Sequence, residues 1–264
     1  MSVGTKRSYE VSQFRDPRAE LTRLQRQTVV MADAEEAALR RLAFPEEGRV
    51  LDVGCGPGFV AARVGAARPK VTIVGVDSDA EVLRRVPPGI ETVEADAHAL
   101  PFTTGEFVGA YARLVLRHLA RPDVAVAEMF RVIAPGGRIL VLDSDDGALV
   151  LDPWPAGFAG VLAAKQETAR RRGGNPFIGR RLAALLENAG FQDLVAAPLC
   201  VDSITIGAAA FAHVVLSPVA DAIDEDLMPR EDVARAARAV GEWATGHQSF
   251  GMTTAVAIGA RKPP

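Results

Sequence analysis

Residues 50–58 read VLDVGCGPG, a short run of strand-forming residues that enters a turn with glycine at positions 54, 56 and 58. Glycine loses more backbone freedom on folding than any other residue, so this cluster calls for a physical reason. Either the backbone adopts angles closed to other residues, or a ligand comes very close to the main chain. A strand that runs through such a turn into a helix puts the turn at the strand's carboxyl end. Open α/β sheets bind their ligands there, near the switch in strand order. Turn amides and the N-terminus of the following helix can then face a ligand carrying negative charge.

The surrounding sequence continues the same alternation. RVLDVG, VTIVGVD, IETVEAD, FVGAYARLV and GGRILVLD read as five strands. Helices are expected between them over 59–67, 81–85 and 122–133, with Ser78 or Asp79 capping the second. Several of these strands are nearly continuous apolar runs, the pattern of strands covered on both faces. Strands alternating with helices predict a parallel α/β sheet. Upstream, residues 16–43 carry apolar side chains at helical spacing and predict one or two helices. Residues 1–45 are read as an N-terminal helical cap and 46–264 as the core. After Asp143 the rhythm breaks. Helices are expected at 161–172 and 178–189, a sixth strand at 191–201, and a closing edge strand in GMTTAVAIGARK. Two largely helical insertions, at about 147–175 and 206–248, are expected to form a lid.

Composition limits the function classes. The chain has 264 residues, a net charge of -3 and an apolar fraction of 48%, so no global basic field invites nucleic acid or an anionic membrane. Two cysteines, Cys55 and Cys200, build neither a disulfide framework nor a zinc site, and no metal is expected. MSVGTKRSYEVSQF lacks the apolar core of a signal peptide, and the run at 207–220 is too short to span a bilayer. A cytoplasmic protein is expected, with a homodimer left open.

Two readings of the glycine turn compete. A dinucleotide fold wants G-x-G-x-x-G. Here the third glycine of that pattern is replaced by Phe59, Pro57 removes an amide, and the chain has no Tyr-x-x-x-Lys pair. DVGCGPG instead resembles the first motif of the class I S-adenosylmethionine-dependent methyltransferases, in particular the small-molecule group that includes the ubiquinone and menaquinone biosynthesis enzymes. GVDSD at 75–79 resembles the second motif, EADAHALPF at 94–102 the third, and RVIAPGGRILVLD at 131–143 the approach to strand five. The resemblance covers residues 50–143, four motifs in order. Two departures are visible: Phe107-Val108 stands where the family commonly has Phe-Asp, and Arg117-His118 where relatives often have two histidines.

The resemblance implies a Rossmann-like sheet of seven strands, mostly parallel with the last antiparallel, plus a helical lid. It also implies S-adenosyl-L-methionine as cofactor. The amino-acid end of that ligand would approach Gly54, Cys55 and Gly56, with Asp52 holding a loop amide or the ammonium. Asp77 would accept both ribose hydroxyls. Asp96 and Ala97 would meet the adenine, in a slot walled by Val76, Ser78 and Leu100. Arg113 and Leu114 would face the sulfonium and the cofactor carboxylate. Tyr9 and Phe14 belong to a segment that folds over the cofactor in related enzymes.

The acceptor is less legible. No Asn/Asp-Pro-Pro-aromatic turn follows strand four, which disfavours a nucleic-acid amino group, so a small organic acceptor is expected. The basic run Arg170-Arg171-Arg172 reads as a solvated helix end. Trp154, Phe158, Phe177, Phe211, Trp243 and Phe250 are candidates for an apolar pocket or for plain core. His98, His118, His213 and His247 are the available bases, His98 read as solvent-facing, and none is assigned as catalytic. A nicotinamide-dependent oxidoreductase, and a methyltransferase-like protein that catalyses another step or only binds the cofactor, are the alternatives.

Overall fold

The computed structural model describes residues 16–217 and 223–264. Tyr9 and Phe14 lie outside the described residues. In chain order the elements are α1 (Pro17–Arg41), β1 (Glu47–Val53), α2 (Phe59–Ala67), β2 (Lys70–Asp77), α3 (Ala80–Leu83), β3 (Glu91–Glu94), β4 (Phe107–Arg113), α4 (Pro122–Val132) and β5 (Ile133–Ser144). They continue with β6 (Val150–Asp152), α5 (Phe158–Arg171), α6 (Leu182–Asn188), β7 (Gln192–Asp202), α7 (Ser203–Ile206), α8 (Ala208–Phe211), α9 (Arg230–Thr245) and β8 (Phe250–Arg261). The chain divides into an α/β unit, residues 33–144, 177–199 and 255–264, and a helical unit built from 16–32, 145–176 and 200–254.

In the α/β unit the strands hydrogen-bond in the order β3-β2-β1-β4-β5-β8, with β7 also pairing β8. β1 runs parallel to both β2 and β4, so the order reverses beside β1. The glycine turn that follows β1 therefore sits where such sheets form their ligand crevice. β4 and β5 are parallel, whereas β8 returns antiparallel along β5. The apolar runs read from the sequence supply the core: Leu51, Val53, Val74, Val76, Ala110, Ala112, Ile139 and Val141 pack with Met129 and Val132 of α4.

Charged side chains also brace this unit. Arg68, only 1% exposed, pairs with Glu36 at 2.9 Å and Glu46 at 3.3 Å. Lys262 donates from Nζ to the carbonyls of Phe130 and Ile133, both at 2.7 Å.

The helical unit has its own small core, in which Phe158, Val161, Phe211, Leu216, Ala236, Val240 and Trp243 are buried. The rings of Phe211 and Trp243 lie 5.9 Å apart. A cavity of about 90 Å³ is lined by Phe158, Val161, Leu216, Val233, Ala236 and Val240, among others. Phe158, Phe211 and Trp243 are thus core side chains of this unit, while Trp154 is exposed. Arg171 and Arg172, read as a solvated helix end, pair with Asp226 and Asp224.

One local reading changes, and two open alternatives are resolved. The strand count is eight rather than seven, because β6 pairs antiparallel with Phe250–Met252 at the start of β8. Three residues are too few to show a period of their own. The N-terminal region from Pro17 is one 25-residue helix. Of the two candidate caps it is Asp79 whose carboxylate accepts from the Glu81 amide at 2.9 Å. No described helix is long and apolar enough to cross a membrane.

Candidate functional site

The glycine turn leaves β1 with left-handed backbone at Gly54 (φ 69°) and Gly56 (φ 53°). A side chain at position 54 would collide with Val115 at 2.4 Å, so glycine there answers to packing as well as to angle. Gly56 differs: a Cβ built on it meets nothing within 4 Å. That open space on a turn at the switch point is a cradle into which a ligand can press against the main chain.

The turn's amides face inward. Gly54 and Cys55 both donate to the Val76 carbonyl, at 2.7 and 3.0 Å, and Gly58 donates to the Cys55 carbonyl at 3.0 Å. Gly56 donates to Oδ2 of Asp77 at 2.9 Å. The expected anion cradle of turn amides is therefore corrected, since these donors already have partners inside the fold. A pyrophosphate would find few free N–H groups here. A ligand presenting a cation and hydroxyls meets carboxylates instead.

Two carboxylates flank the turn. Asp52 on β1 is 4% exposed, and its Oδ2 has no hydrogen-bond partner among the described residues. Burial, the nearby Asp77 and Glu35 raise its carboxyl to about 8, against the opposing pull of Arg113. Asp77 ends β2 and accepts from Gly56 through Oδ2 and from Asp79 through Oδ1 at 3.0 Å. Burial raises its carboxyl too, partly offset by the amides of Asp79, Gly56 and Ser78. Each carboxylate oxygen keeps acceptor capacity beyond one hydrogen bond, so these contacts orient Asp77 without exhausting it. Burial also pushes the Cys55 thiol far up, with both carboxylates adding to the effect, so Cys55 stays a neutral, buried wall.

The remaining expected residues scatter around this centre. Ser78 and Ala97 are half-buried after β2 and β3. Asp96 is exposed and meets His98 Nδ1 at 2.6 Å. His98, read as solvent-facing, has a side chain 27% exposed, with its Nε2 buried and without a partner among the described residues. Val76 and Leu100 belong to the apolar core rather than to an open slot. Leu114 follows β4 with φ 56°, an angle costly for a residue with a side chain, and its amide donates to Leu142 at 2.7 Å.

Arg113 is placed differently from the reading that gave it a ligand carboxylate. Its Nε donates to Oε1 of Glu35 on α1, and Arg63 of α2 donates to Oε2 of the same side chain. Glu35 is 2% exposed. Tyr111, register partner of Asp52 on β4, buries a hydroxyl with no partner among the described residues. Farther along, Asp143 accepts from the amides of Arg117 and Ser144, at 3.0 and 2.9 Å, and Arg117 reaches the Ser144 hydroxyl. Glu35, Arg63 and Tyr111 carried no motif signal, and Asp143 ended a recognised stretch without being given a role. Only the strand end LVLD hinted at Asp143.

Against this geometry the comparisons are specific. Residues 51–141 match the family model described as a methyltransferase domain. An uncharacterised 37.1 kDa protein in transposon TN4556 of Streptomyces fradiae is 33% identical over 177 residues, 64% of this chain and 49% of that protein. The ubiquinone/menaquinone biosynthesis C-methyltransferase of Syntrophotalea carbinolica is 36% identical over 114 residues, 40% of this chain and 48% of the enzyme. The chain thus spans about half the length of the curated relatives it matches. In fold it is similar to the Haemonchus contortus phosphoethanolamine N-methyltransferase 2 in complex with S-adenosyl-L-methionine, at a TM-score of 0.56 and 15% identity, over 86% of this chain and 52% of that one. Residues 51–141 of the α/β unit are thus similar to a methyltransferase domain, in a fold shared with solved methyltransferases. The unpartnered Asp52 oxygen and the clear space over Gly56 fit a ligand with an ammonium and a close-packed amino-acid end.

Proposed function

We propose that this protein transfers the methyl group of S-adenosyl-L-methionine to a small organic acceptor. The observation that carries the reading is the pairing of Asp52 and Asp77 on either side of a glycine turn whose amides already have partners. In this reading the amino-acid end lies over Gly54, Cys55 and Gly56 with its ammonium at Asp52. Asp77, held by the Gly56 amide, receives the ribose hydroxyls. Ser78, Asp96 and Ala97 border the adenine, and Leu114 faces the sulfonium. Arg113 acts as a braced wall whose charge is shared with Glu35.

The cofactor supplies an already activated methyl on sulfonium. The protein's task is then to hold the acceptor in line and to exclude water. No residue is assigned as base. The absence of a basic field favours a small acceptor over nucleic acid, and a cytoplasmic setting belongs to the same proposal. The relative named for a biosynthetic C-methylation and the fold neighbour named for phosphoethanolamine N-methylation differ in acceptor, so the methylated atom is left to experiment.

The test has two stages. Calorimetric titration with S-adenosylmethionine, S-adenosylhomocysteine, NADH and NADPH is expected to give binding by the sulfur ligands alone. Binding only by a nicotinamide nucleotide overturns the reading. Formation of S-adenosylhomocysteine with a panel of quinol, carboxylate and amine acceptors then separates a methyltransferase from a protein that binds the cofactor for another purpose.

A further inference from the structure

We propose that Asp52 holds a proton in the free protein and releases it to solvent when the ammonium of the cofactor is seated, so that cofactor capture is proton-linked. This rests on the reading that the glycine turn takes S-adenosylmethionine. The geometry gives three reasons. The carboxyl is 4% exposed on a central strand, and Oδ2 has no hydrogen-bond partner among the described residues. An ionised oxygen so deeply buried, with no donor among the described residues, is a costly arrangement.

The neighbours do not correct it. From β2 and the turn, Asp77 and the neutral Cys55 face it, and from α1 the Glu35 carboxylate adds a second like charge. From β4 come Arg113 and the Tyr111 hydroxyl. Among the described residues Arg113 is the cation acting on Asp52, and its Nε is bonded to Glu35, which also takes Arg63 of α2. Two carboxylates and burial thus outweigh one shared guanidinium, in keeping with a carboxyl raised to about 8.

A bound ammonium changes the balance by bringing a full positive charge and N–H donors to the unpartnered oxygen. The O–H bond of Asp52 breaks, the electron pair stays on the carboxylate, and the proton passes to buffer. Nothing is oxidised or reduced. Sulfonium is not required, so S-adenosylhomocysteine, which keeps the ammonium, should release the proton equally.

The experiment is calorimetric titration of the full chain with S-adenosylmethionine and S-adenosylhomocysteine at pH 6.5. There a cofactor amine with the ordinary α-amino pKa of about 8 is already protonated. Buffers of different ionisation enthalpy report the protons exchanged. Close to one proton released per ligand is expected for wild type and none for Asp52→Asn. Kd should fall about tenfold per pH unit between pH 5.5 and 7. If wild type binds with buffer-independent heats, the proton linkage is wrong and the cofactor reading stands. If neither sulfur ligand binds, the cofactor reading itself fails. Release with S-adenosylmethionine alone overturns the role given to the ammonium. Should Asp52→Asn not fold, infrared difference spectra of wild type with and without S-adenosylhomocysteine decide: a protonated-carboxyl band lost on binding supports the proposal, and an unchanged spectrum overturns it.

Discussion

The amide of Gly56 donates to Oδ2 of Asp77 at 2.9 Å, joining the tip of the glycine turn to the end of the neighbouring strand. Asp77 is therefore both a member of the proposed ribose site and the anchor of the turn that carries the amino-acid end. Asp77→Asn keeps one acceptor and loses the charge, whereas Asp77→Ala loses both. A charge-assisted hydrogen bond contributes about 1.5–3 kcal/mol. Cofactor affinity should fall roughly 10- to 100-fold in Asp77→Ala and less in Asp77→Asn, as read by titration calorimetry. Equal affinity in all three proteins would remove Asp77 from the site.

The glycines at 54 and 56 should separate stability from binding. Gly54→Ala places a methyl 2.4 Å from Val115 at φ 69°, so strain and overpacking together should lower stability by about 2–4 kcal/mol. Gly56→Ala meets no atom within 4 Å and suffers only the left-handed backbone, roughly 1 kcal/mol or about 2–4 °C in Tm. Its methyl enters the space proposed for the ligand, so cofactor affinity should fall about tenfold or more. Thermal melts with and without S-adenosylhomocysteine read both effects, and a Gly56→Ala protein that binds normally would show that the cradle is not used.

Arg68 makes a different kind of prediction, about the frame. It is 1% exposed and pairs with Glu36, 20% exposed, and Glu46, 68% exposed. Burial raises the Glu36 carboxyl, but hydrogen bonds from Arg68 and Arg40 outweigh it and leave the group lowered. Arg68→Met removes the buried cation. Glu46 can rehydrate and Glu36 keeps Arg40, so the loss should sit near the low end for a broken buried pair, about 3 kcal/mol. A Tm drop of roughly 6–12 °C is expected, with little change in cofactor affinity. A shift under about 2 °C would mean that the pair contributes nothing net.

What could be read from the sequence was what is contiguous in it. The strand ends at Asp52 and Asp77, and the turn between β1 and α2, lie within a few residues of their own signals. Which way the turn's amides point was not readable, because Val76 and Asp77 capture them from a neighbouring strand. The Glu35 network escaped for the same reason: its partners Arg63 and Arg113 are 28 and 78 residues away. Arg113 alone looked like a cation in search of a ligand, and the fold gives it an internal partner. The extra strand β6 exists only through its pairing with β8, which no local period can announce.

The buried Asp52 should also make the ligand-free protein less stable as pH rises. An ordinary aspartate titrates near 4 when unfolded, whereas Asp52 in the fold is raised to about 8. Between those values the folded protein binds the extra proton, so stability falls as pH climbs from about 4 and levels off above about 8. The difference amounts to at most about 5 kcal/mol, and structural relaxation will reduce it. Asp52→Asn has no such proton to lose. Denaturant unfolding of both proteins at pH 5.5, 7 and 8.5 without cofactor should show the variant gaining on wild type at each step. Parallel curves would mean that Asp52 ionises normally inside the fold. Saturating S-adenosylhomocysteine should flatten the wild-type dependence, because an ammonium beside Asp52 restores its charged form.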